Sequence, residues 1–167
     1  GFYLCTGSFF ENCIAQRGGF IYERADDCNF ENCTVSQAAP SISGGFGQKV
    51  INCNFKKCSV SGDVEIRNGI HDVGGFVGRS ENSKFVNCKV TGSVVGCNDD
   101  IGGFVGWAEN SEFSQCEANV SVEGLAHVGG FVGASKEKSK FVNCKAIGSV
   151  FGKSDVGGFA GYMYDGG

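Results

Sequence analysis

The clearest alternation of apolar and polar positions lies in the middle of the chain. From Cys88 to Val94, small or apolar residues alternate with polar ones. A period of two predicts a β-strand with one buried face. Apolar residues do not recur at helical spacing, and each glycine inside a helix would cost about 1 kcal/mol. The chain is therefore predicted to be built from strands.

Two short motifs recur along the whole sequence. Gly-Gly-Phe occurs six times, and successive copies begin 26 to 30 residues apart. Phe-x-x-Cys follows the same period, beginning at Phe10, Phe30, Phe55, Phe85, Phe113 and Phe141. In all five internal cases, the aromatic residue of Gly-Gly-Phe precedes the next motif cysteine by 12 or 13 residues. Such a fixed period predicts a solenoid, a propeller or another array. Propeller blades are usually longer, at ~40–50 residues, so a parallel β-solenoid fits better.

Each repeat is predicted to form one coil. Short strands are expected at Gly-Gly-Phe-Val-Gly, at Ser-x-Phe-x and at Cys-x-Val-x-Gly-x-Val-x-Gly, with a bend at the residue before the cysteine, often Asn. We expect one all-β domain over 1–167, a parallel β-helix of about six coils of ~27 residues and roughly three strands each. The expected coils span about 1–17, 18–43, 44–73, 74–101, 102–128 and 129–156, and the next begins at 157–167.

Stacked coils would place equivalent side chains in columns through the core. The rings of Gly-Gly-Phe form the first column, Phe20, Phe46, Phe76, Phe104, Phe131 and Phe159. The rings of Phe-x-x-Cys form the second, which includes Phe30, Phe55, Phe85, Phe113 and Phe141. The cysteines of the same motif form the third, Cys13, Cys33, Cys58, Cys88, Cys116 and Cys144. We expect all three columns to be structural.

Gly-Gly-Phe-Val-Gly at 74–78, followed by Asn87-Cys88 and Gly-Ser-Val-Val-Gly at 92–96, resembles the GLUG repeat. The resemblance covers nearly the whole chain and is strongest over 74–161. It implies a right-handed β-helical stalk of the kind found in large secreted or surface-anchored bacterial proteins, including adhesins and IgA-cleaving metallopeptidases. An extracellular or bacterial cell-surface location follows from the same resemblance. It implies no catalytic residue, because the sequence has no His-Glu-x-x-His motif.

Composition narrows the choice of function class. With 41% hydrophobic residues and 15 Phe, the chain can build a core and is not expected to be disordered. A formal net charge of −4 argues against a nucleic-acid partner. No run of about 18 apolar residues occurs, so we expect no membrane span. Both ends of the sequence stop in phase with the repeat, which predicts flanking repeats of the same chain or end-to-end self-association.

The cysteines allow three interpretations: buried free thiols, disulfides or metal ligands. We expect the six column thiols to be buried and free, because stacked side chains point in parallel. No C-x₂-C pair occurs, and neither a metal site nor another cofactor is predicted. Cys28 and Cys53 each precede a column cysteine by five residues, so they are the candidate disulfide pair. Cys5 and Cys97 have no equivalents in other repeats.

The remaining candidate residues are isolated ones. His71 and His127 lie in variable connections without an aligned Ser, Cys or carboxylate, so we expect them in surface loops. Trp107 is expected to be exposed and is a candidate partner contact. Asn32 and Asn119 begin N-glycosylation patterns, which matter only in a secreted eukaryotic protein.

The acidic turns and the outward strand positions are weak candidates for ligand sites. The acidic turns at 26–27 and 98–100 could bind Ca²⁺, but they lack the known calcium repeats, and a plain turn is expected. Outward positions of the cysteine strands show neither an acidic pair for glycoside hydrolysis nor the regular array of an ice-binding face.

These observations predict a non-catalytic structural or adhesive module that forms a stiff stalk or fibre segment. One alternative is a carbohydrate-binding or carbohydrate-active β-helix protein, with an unknown protein or glycan ligand. A second alternative is the subunit of an end-to-end stacked filament. The variable connections at 63–73, 97–101 and 123–128 are where specificity would lie, because the coils differ there.

Overall fold

The computed structural model describes residues 1–38 and 42–164. These residues form 24 strands joined by tight turns, and they contain no helix. All the strand pairs are parallel. The first half of the chain contains β1 (Phe2–Thr6), β2 (Phe9–Glu11), β3 (Ile14–Ala15), β4 (Ile21–Asp26), β5 (Asn29–Glu31), β6 (Thr34–Val35), β7 (Gly47–Ile51), β8 (Asn54–Lys56), β9 (Ser59–Ile66), β10 (Val73–Gly74), β11 (Val77–Glu81) and β12 (Lys84–Val86). The second half contains β13 (Lys89–Gly96), β14 (Asp99–Gly102), β15 (Val105–Glu109), β16 (Glu112–Ser114), β17 (Glu117–Glu123), β18 (Ala126–Gly129), β19 (Val132–Lys136), β20 (Lys140–Val142), β21 (Lys145–Ile147), β22 (Val150–Phe151), β23 (Ser154–Gly157) and β24 (Ala160–Met163).

The strands stack into four parallel sheets that wrap around one core. Sheet I has the order β1-β4-β7-β11-β15-β19-β24, and sheet II has the order β2-β5-β8-β12-β16-β20. Sheet III has the order β3-β6-β9-β13-β17-β21, with β22 also paired to β17, and sheet IV has the order β10-β14-β18-β23. The chain is therefore a parallel β-solenoid, and the predicted fold class is confirmed.

The number of turns differs slightly from the prediction. Six stacked strands in sheet II enclose about five complete turns, rather than six. Each motif in the sequence corresponds to one strand of a sheet. The number of strands in a stack is one more than the number of complete turns that connect them. Residues 39–41 of the predicted second coil and 165–167 of the predicted last one lie outside the described residues.

A full coil in the later part of the chain has four strands rather than three. Gly-Gly-Phe-Val-Gly does not form one strand, contrary to the prediction. Its first glycine ends a strand of sheet IV, the next two residues turn the chain, and the last two begin a strand of sheet I. The extra strands β14 and β18 lie in segments predicted to be variable connections. The turn requires glycine because a Cβ at Gly103 would overlap the carbonyl of Gly130 in the next coil. The backbones of neighbouring coils approach too closely there for a side chain.

Left-handed residues make the corner between sheets II and III, at the bend predicted before each column cysteine. Positive φ angles near 52–55° occur at Asn12, Asn32, Lys57, Asn87, Gln115 and Asn143. Asparagine tolerates this conformation better than most residues. The amide of Asn32 donates to Oδ1 of Asn12 over 2.6 Å, so part of the column forms an amide ladder. Gln115 and Lys57 adopt the same backbone without asparagine's advantage.

The core consists largely of two columns of phenylalanine rings. Within a column the rings stack: Phe76 and Phe104 have centroids 4.7 Å apart, and their planes differ by 3°. Between the columns they meet edge to face, as Phe76 and Phe85 do at 5.8 Å and 88°. Both arrangements are favourable for aromatic rings. Each coil therefore reproduces the packing of the coil before it.

Candidate functional site

The phenylalanine columns lie inside the solenoid. Eight rings are at most 1% exposed: Phe30, Phe46, Phe55, Phe76, Phe85, Phe104, Phe113 and Phe131. Phe20 is buried, whereas Phe141 and Phe159, nearer the last described coil, are only partly buried. Their shared role is packing, and none of them is placed to contact a ligand.

The column cysteines also face the interior. Cys33, Cys58, Cys88 and Cys116 are buried, Cys13 and Cys144 are partly buried, and all six are free thiols. Several of these thiols donate to the carbonyl of a column phenylalanine in the preceding coil, as Cys58 Sγ does to Phe30 O over 3.4 Å. Burial raises the pKa of Cys33 to about 12. The Cys33 thiol is therefore protonated at neutral pH. The buried side chains of this column fill space in the core as small groups.

The candidate disulfide pair is not joined in the structure. Cys28 and Cys53 are both free and buried. Cys53 Sγ instead lies 3.5 Å from the carbonyl oxygen of Ala25. Cys28 Sγ lies 2.9 Å from Sγ of Cys5, a residue for which the sequence offered no partner. Cys28 and Cys53 share the five-residue spacing before a column cysteine, but this spacing did not predict that the sulfur atom nearest to Cys28 is that of Cys5.

Trp107 lies on the outward side of sheet I and is half-buried rather than exposed. The guanidinium carbon of Arg79, from the preceding coil, lies 5.1 Å from the centre of its indole ring. The ring of Tyr164, from a later coil, lies 5.4 Å away. The indole Nε1 donates to Glu109 over 3.3 Å. These contacts within the chain cover much of the indole surface of Trp107 that a partner could otherwise contact.

His127 has a carboxylate partner, contrary to the prediction from sequence. Its Nδ1 lies 2.8 Å from Oδ1 of Asp100, and its Nε2 lies 3.8 Å from Oδ2 of Asp155. These residues and Asp72 all precede a Val/Ile-Gly-Gly-Phe segment, and all have positive φ angles of 49–62°. The prediction was wrong because the partners lie in different connections, at the same repeat position of adjacent coils. Aligning this position across repeats could have identified them.

An ion-pair network lies beside this Asp/His column, where sheet IV folds against sheet I. Arg79 contacts Asp72 at 3.3 Å, Glu81 at 2.7 Å and Glu109 at 3.3 Å. Lys49 contacts Glu81 at 3.0 Å. Burial raises the pKa of Asp72 despite the nearby Arg79. Burial also acts to raise the pKa of Glu81, but hydrogen bonds from Arg79 and Lys49 outweigh it and the pKa is lowered.

A groove of about 350 Å³ runs along this network, and we name it the lateral groove. Its lining residues are Glu23, Arg24, Ser43, Gln48, Lys49, His71, Asp72 and Arg79. Its three cationic side chains each contact a carboxylate, so neither sign of charge dominates. Such a surface can offer hydrogen bonds to a small polar ligand.

The two histidines have different polar neighbours. His127 hydrogen-bonds to Asp100, and His71, which lines the groove, is 3.3 Å from the Asn98 amide. The raised pKa of Asp100 follows from burial, which outweighs the effect of His127.

The other candidate residues do not line the groove, although Asp26 contacts one residue that does. Residues 1–38 and 42–164 include no group of three or more His, Cys, Asp or Glu side chains that could hold a metal ion. Asp26 of the first acidic turn is paired with Arg24 at 2.7 Å. Asn32 has its amide in the corner ladder, whereas Asn119 is exposed on β17. In the same part of the chain, no helix has the length and hydropathy needed to span a bilayer.

Comparison with known protein families agrees with the repeat that the structure shows. Residues 69–95 match the GLUG motif. This segment begins just before β10, passes through the lateral groove at Asp72 and Arg79, and ends within β13, so it covers one coil with all four strands. No curated protein matches the chain.

Proposed function

From its assignment to the GLUG-repeat family, we propose that this chain is a non-catalytic structural or adhesive module. It forms a stiff segment of an extracellular stalk or fibre at a bacterial cell surface. The observation that carries the proposal is the repeated use of the same internal contacts in successive coils. Ring stacking at 4.7 Å between Phe85 and Phe113 continues at 5.0 Å between Phe113 and Phe141. Such repetition favours a rod whose length is set by the number of coils.

The distribution of reactive groups supports a structural role over an enzymatic one. Four of the six column thiols are buried in the core, and cationic residues of the lateral groove are paired with carboxylates. Residues that recur in every coil serve packing and turning. Residues that differ between coils, such as Lys49, Arg79 and Trp107 in one register, form an irregular outer surface. A scaffold that displays different side chains on a constant frame fits this division.

Removing one coil in phase tests the structural proposal. In the full chain, deletion of 102–128 joins equivalent positions of two coils, so it should leave a folded β-protein with cooperative unfolding. Insertion of two further copies of 102–128 should lengthen the rod by about 10 Å in small-angle X-ray scattering. The matched control deletes only 102–114, which joins positions that are out of phase and should prevent folding. Loss of β-structure in the in-phase deletion would contradict a modular rod.

Two further measurements address the site of action. Antibody labelling of intact cells that produce the full protein should detect the rod, and labelling only after lysis would contradict a surface role. Negative-stain electron microscopy should show short separate rods. Continuous fibres that grow with protein concentration would instead support end-to-end stacking.

Carbohydrate binding is a second candidate because the lateral groove offers polar groups and aromatic residues continue from Trp107, beside Arg79, along later coils. Tyr162 lies 4.9 Å from the ring of His127 and 4.6 Å from the ring of Tyr164. Stacking faces and paired polar groups are suited to sugars. Retention of the chain on a glycan array, lost on Arg79→Ala but kept on Glu65→Gln in sheet III, would favour this candidate.

A further inference from the structure

Two columns of small residues face each other across adjacent coils near the corner between sheets I and II. The register of sheet I aligns the first column, which is Cys5, Ala25, Val50, Ser80, Ala108 and Ser135. The second column precedes each motif cysteine by five residues and is Ser8, Cys28, Cys53, Ser83, Ser111 and Ser139. A residue of the first column lies beside the second-column residue of the next coil.

The same spatial relation occurs with two different kinds of atoms. Ser80 Oγ lies 2.8 Å from Ser111 Oγ, and both side chains are buried. Cys5 Sγ lies 2.9 Å from Cys28 Sγ in the equivalent pair of the first two coils. Because the serine pair repeats the arrangement elsewhere in the chain, the approach of the two sulfur atoms follows from the coil geometry.

We propose that Cys5 and Cys28 are a redox modification site and form a disulfide that joins the first two coils. The sulfur atoms are already closer than two non-bonded sulfur atoms normally approach. A covalent bond of about 2.05 Å requires a further shift of roughly 1 Å. Both residues are nearly inaccessible, at 6% and 0% exposure. The bond would connect residues that are 23 positions apart.

The oxidant is a low-molecular-weight disulfide, and the exchange is balanced without any other reactant. The Cys5 thiolate attacks one sulfur of the oxidant, whose S–S bond breaks, and half of the oxidant leaves as a thiolate that takes up a proton. The Cys28 thiolate then displaces the other half from Cys5. The two protein thiols are oxidised to one disulfide, and one oxidant molecule is reduced to two thiols.

The environment sets the rate and the selectivity of this exchange. Burial and the neighbouring Cys28 raise the pKa of Cys5 to about 11, so the reaction is slow at neutral pH and faster in mild alkali. Cys53 occupies the same column as Cys28 but faces Ala25, which has no sulfur. The motif cysteines donate to backbone carbonyls instead. One pair among the ten cysteines therefore has the geometry to react.

The test treats the full chain with oxidised glutathione in mildly alkaline buffer and maps peptides by non-reducing mass spectrometry. We expect a cross-link between Cys5 and Cys28 and the loss of two of the ten thiols. Cys5→Ser should abolish the cross-link, and the matched control Cys53→Ser should keep it. The oxidised chain should unfold roughly 5–10 °C above the reduced chain, because the bond restricts the unfolded state.

A second variant tests the geometry even if Cys5→Ser fails to fold. The double substitution Ser80→Cys and Ser111→Cys should produce a second cross-link under the same conditions. A Cys28–Cys53 cross-link, or ten thiols that remain free in the folded wild-type chain after prolonged treatment, would overturn the proposal. Failure of the engineered pair to cross-link while its protein remains folded would count against the coil geometry on which it rests.

Discussion

The first coils and the later coils share a core but differ in the number of faces. In later coils a glycine closes the Gly-Gly-Phe-Val segment, as at Gly106 and Gly133, or the Gly-Gly-Phe-Ala segment at Gly161. The corresponding register positions in the early coils hold Gln48 and the pair Tyr22 and Glu23, where sheet I has a register shift. Within the described residues, sheet IV begins at β10, preceded only by a single bridge between Gly44 and Gly74.

The contacts of the closing glycine explain this difference. A Cβ at Gly106 would overlap the backbone of Asp72 and Val73, which lie at the start of β10 in the preceding coil. A Cβ at Gly133 would overlap the backbone of Asp100 and Ile101 in the same way. A coil can therefore cover a strand of sheet IV only when it has no side chain at this position. The fourth face therefore requires a glycine at this position in each coil that packs against a strand of sheet IV.

The largest expected effect tests the core that both regions share. Phe104→Ala should lower the free energy of unfolding by about 3–5 kcal/mol, because it leaves a cavity between two stacked rings. Phe20→Ala should cost less, since Phe20 stacks on Phe46 and retains some exposure. Chemical denaturation of both variants measures the difference. Equal losses would mean that early and late coils are packed alike.

The closing glycine is tested next. Gly106→Ala should destabilise the chain by about 2–3 kcal/mol, because the methyl group forces β15 away from β10. The matched control is Gln48→Ala at the equivalent position of an early coil, which should change stability by no more than about 0.5 kcal/mol. Thermal unfolding of the two variants provides the measurement. If Gly106→Ala has wild-type stability, sheet IV does not require glycine at this position.

The smallest expected effect concerns the ion pairs beside sheet IV. Glu81→Gln should lower stability by about 1 kcal/mol at pH 7, since it removes partners of Arg79 and Lys49. The pKa of Glu81 is lowered from 4.5 in the folded chain, so its ionised form favours folding above pH 4.5. That contribution is lost as the pH falls through the folded pKa, so the two proteins should converge in acid.

Exposed charge provides the control for that pH dependence. Glu65 pairs with Arg67 on the solvent-facing side of sheet III, and both side chains are more than a third exposed. Glu65→Gln should therefore have little effect on stability at any pH, because exposed pairs contribute little. Unfolding curves between acid and neutral pH compare the two variants. A gap for Glu81→Gln that persists in acid would assign its effect to packing rather than charge.

Strands, corners and the parallel stack could be predicted from the sequence, because each depends on residues that recur at one position of the repeat. Phe85 and Cys88 mark one strand and one corner, and equivalent residues recur in phase, so the parallel stack followed from them. Sheet IV did not follow, because β14 and β18 are short, differ in composition and lie in segments of variable length. The closing glycine was visible in the sequence, but its contact with another coil was not.

The Asp/His column beside the lateral groove was not predicted, for a related reason. Asp100 and His127 are 27 residues apart, and the pair becomes visible only when the residue before each Val/Ile-Gly-Gly-Phe segment is compared between coils. Cys5 was missed because Ala25, Val50 and Ser80 occupy its column in other coils. Contacts within one column can be predicted from a repeat, whereas contacts between two columns require the three-dimensional register.

The direction of the backbone hydrogen bonds has a mechanical consequence. They run along the rod, as in the bond from Phe76 N to Phe104 O. A pulling force on the two ends therefore opens them a few at a time, as in unzipping, instead of shearing a whole sheet at once. Each coil that peels away turns about 4.8 Å of rod into roughly 90 Å of extended chain. Under load, such a solenoid would lengthen stepwise and dissipate work as each coil opens.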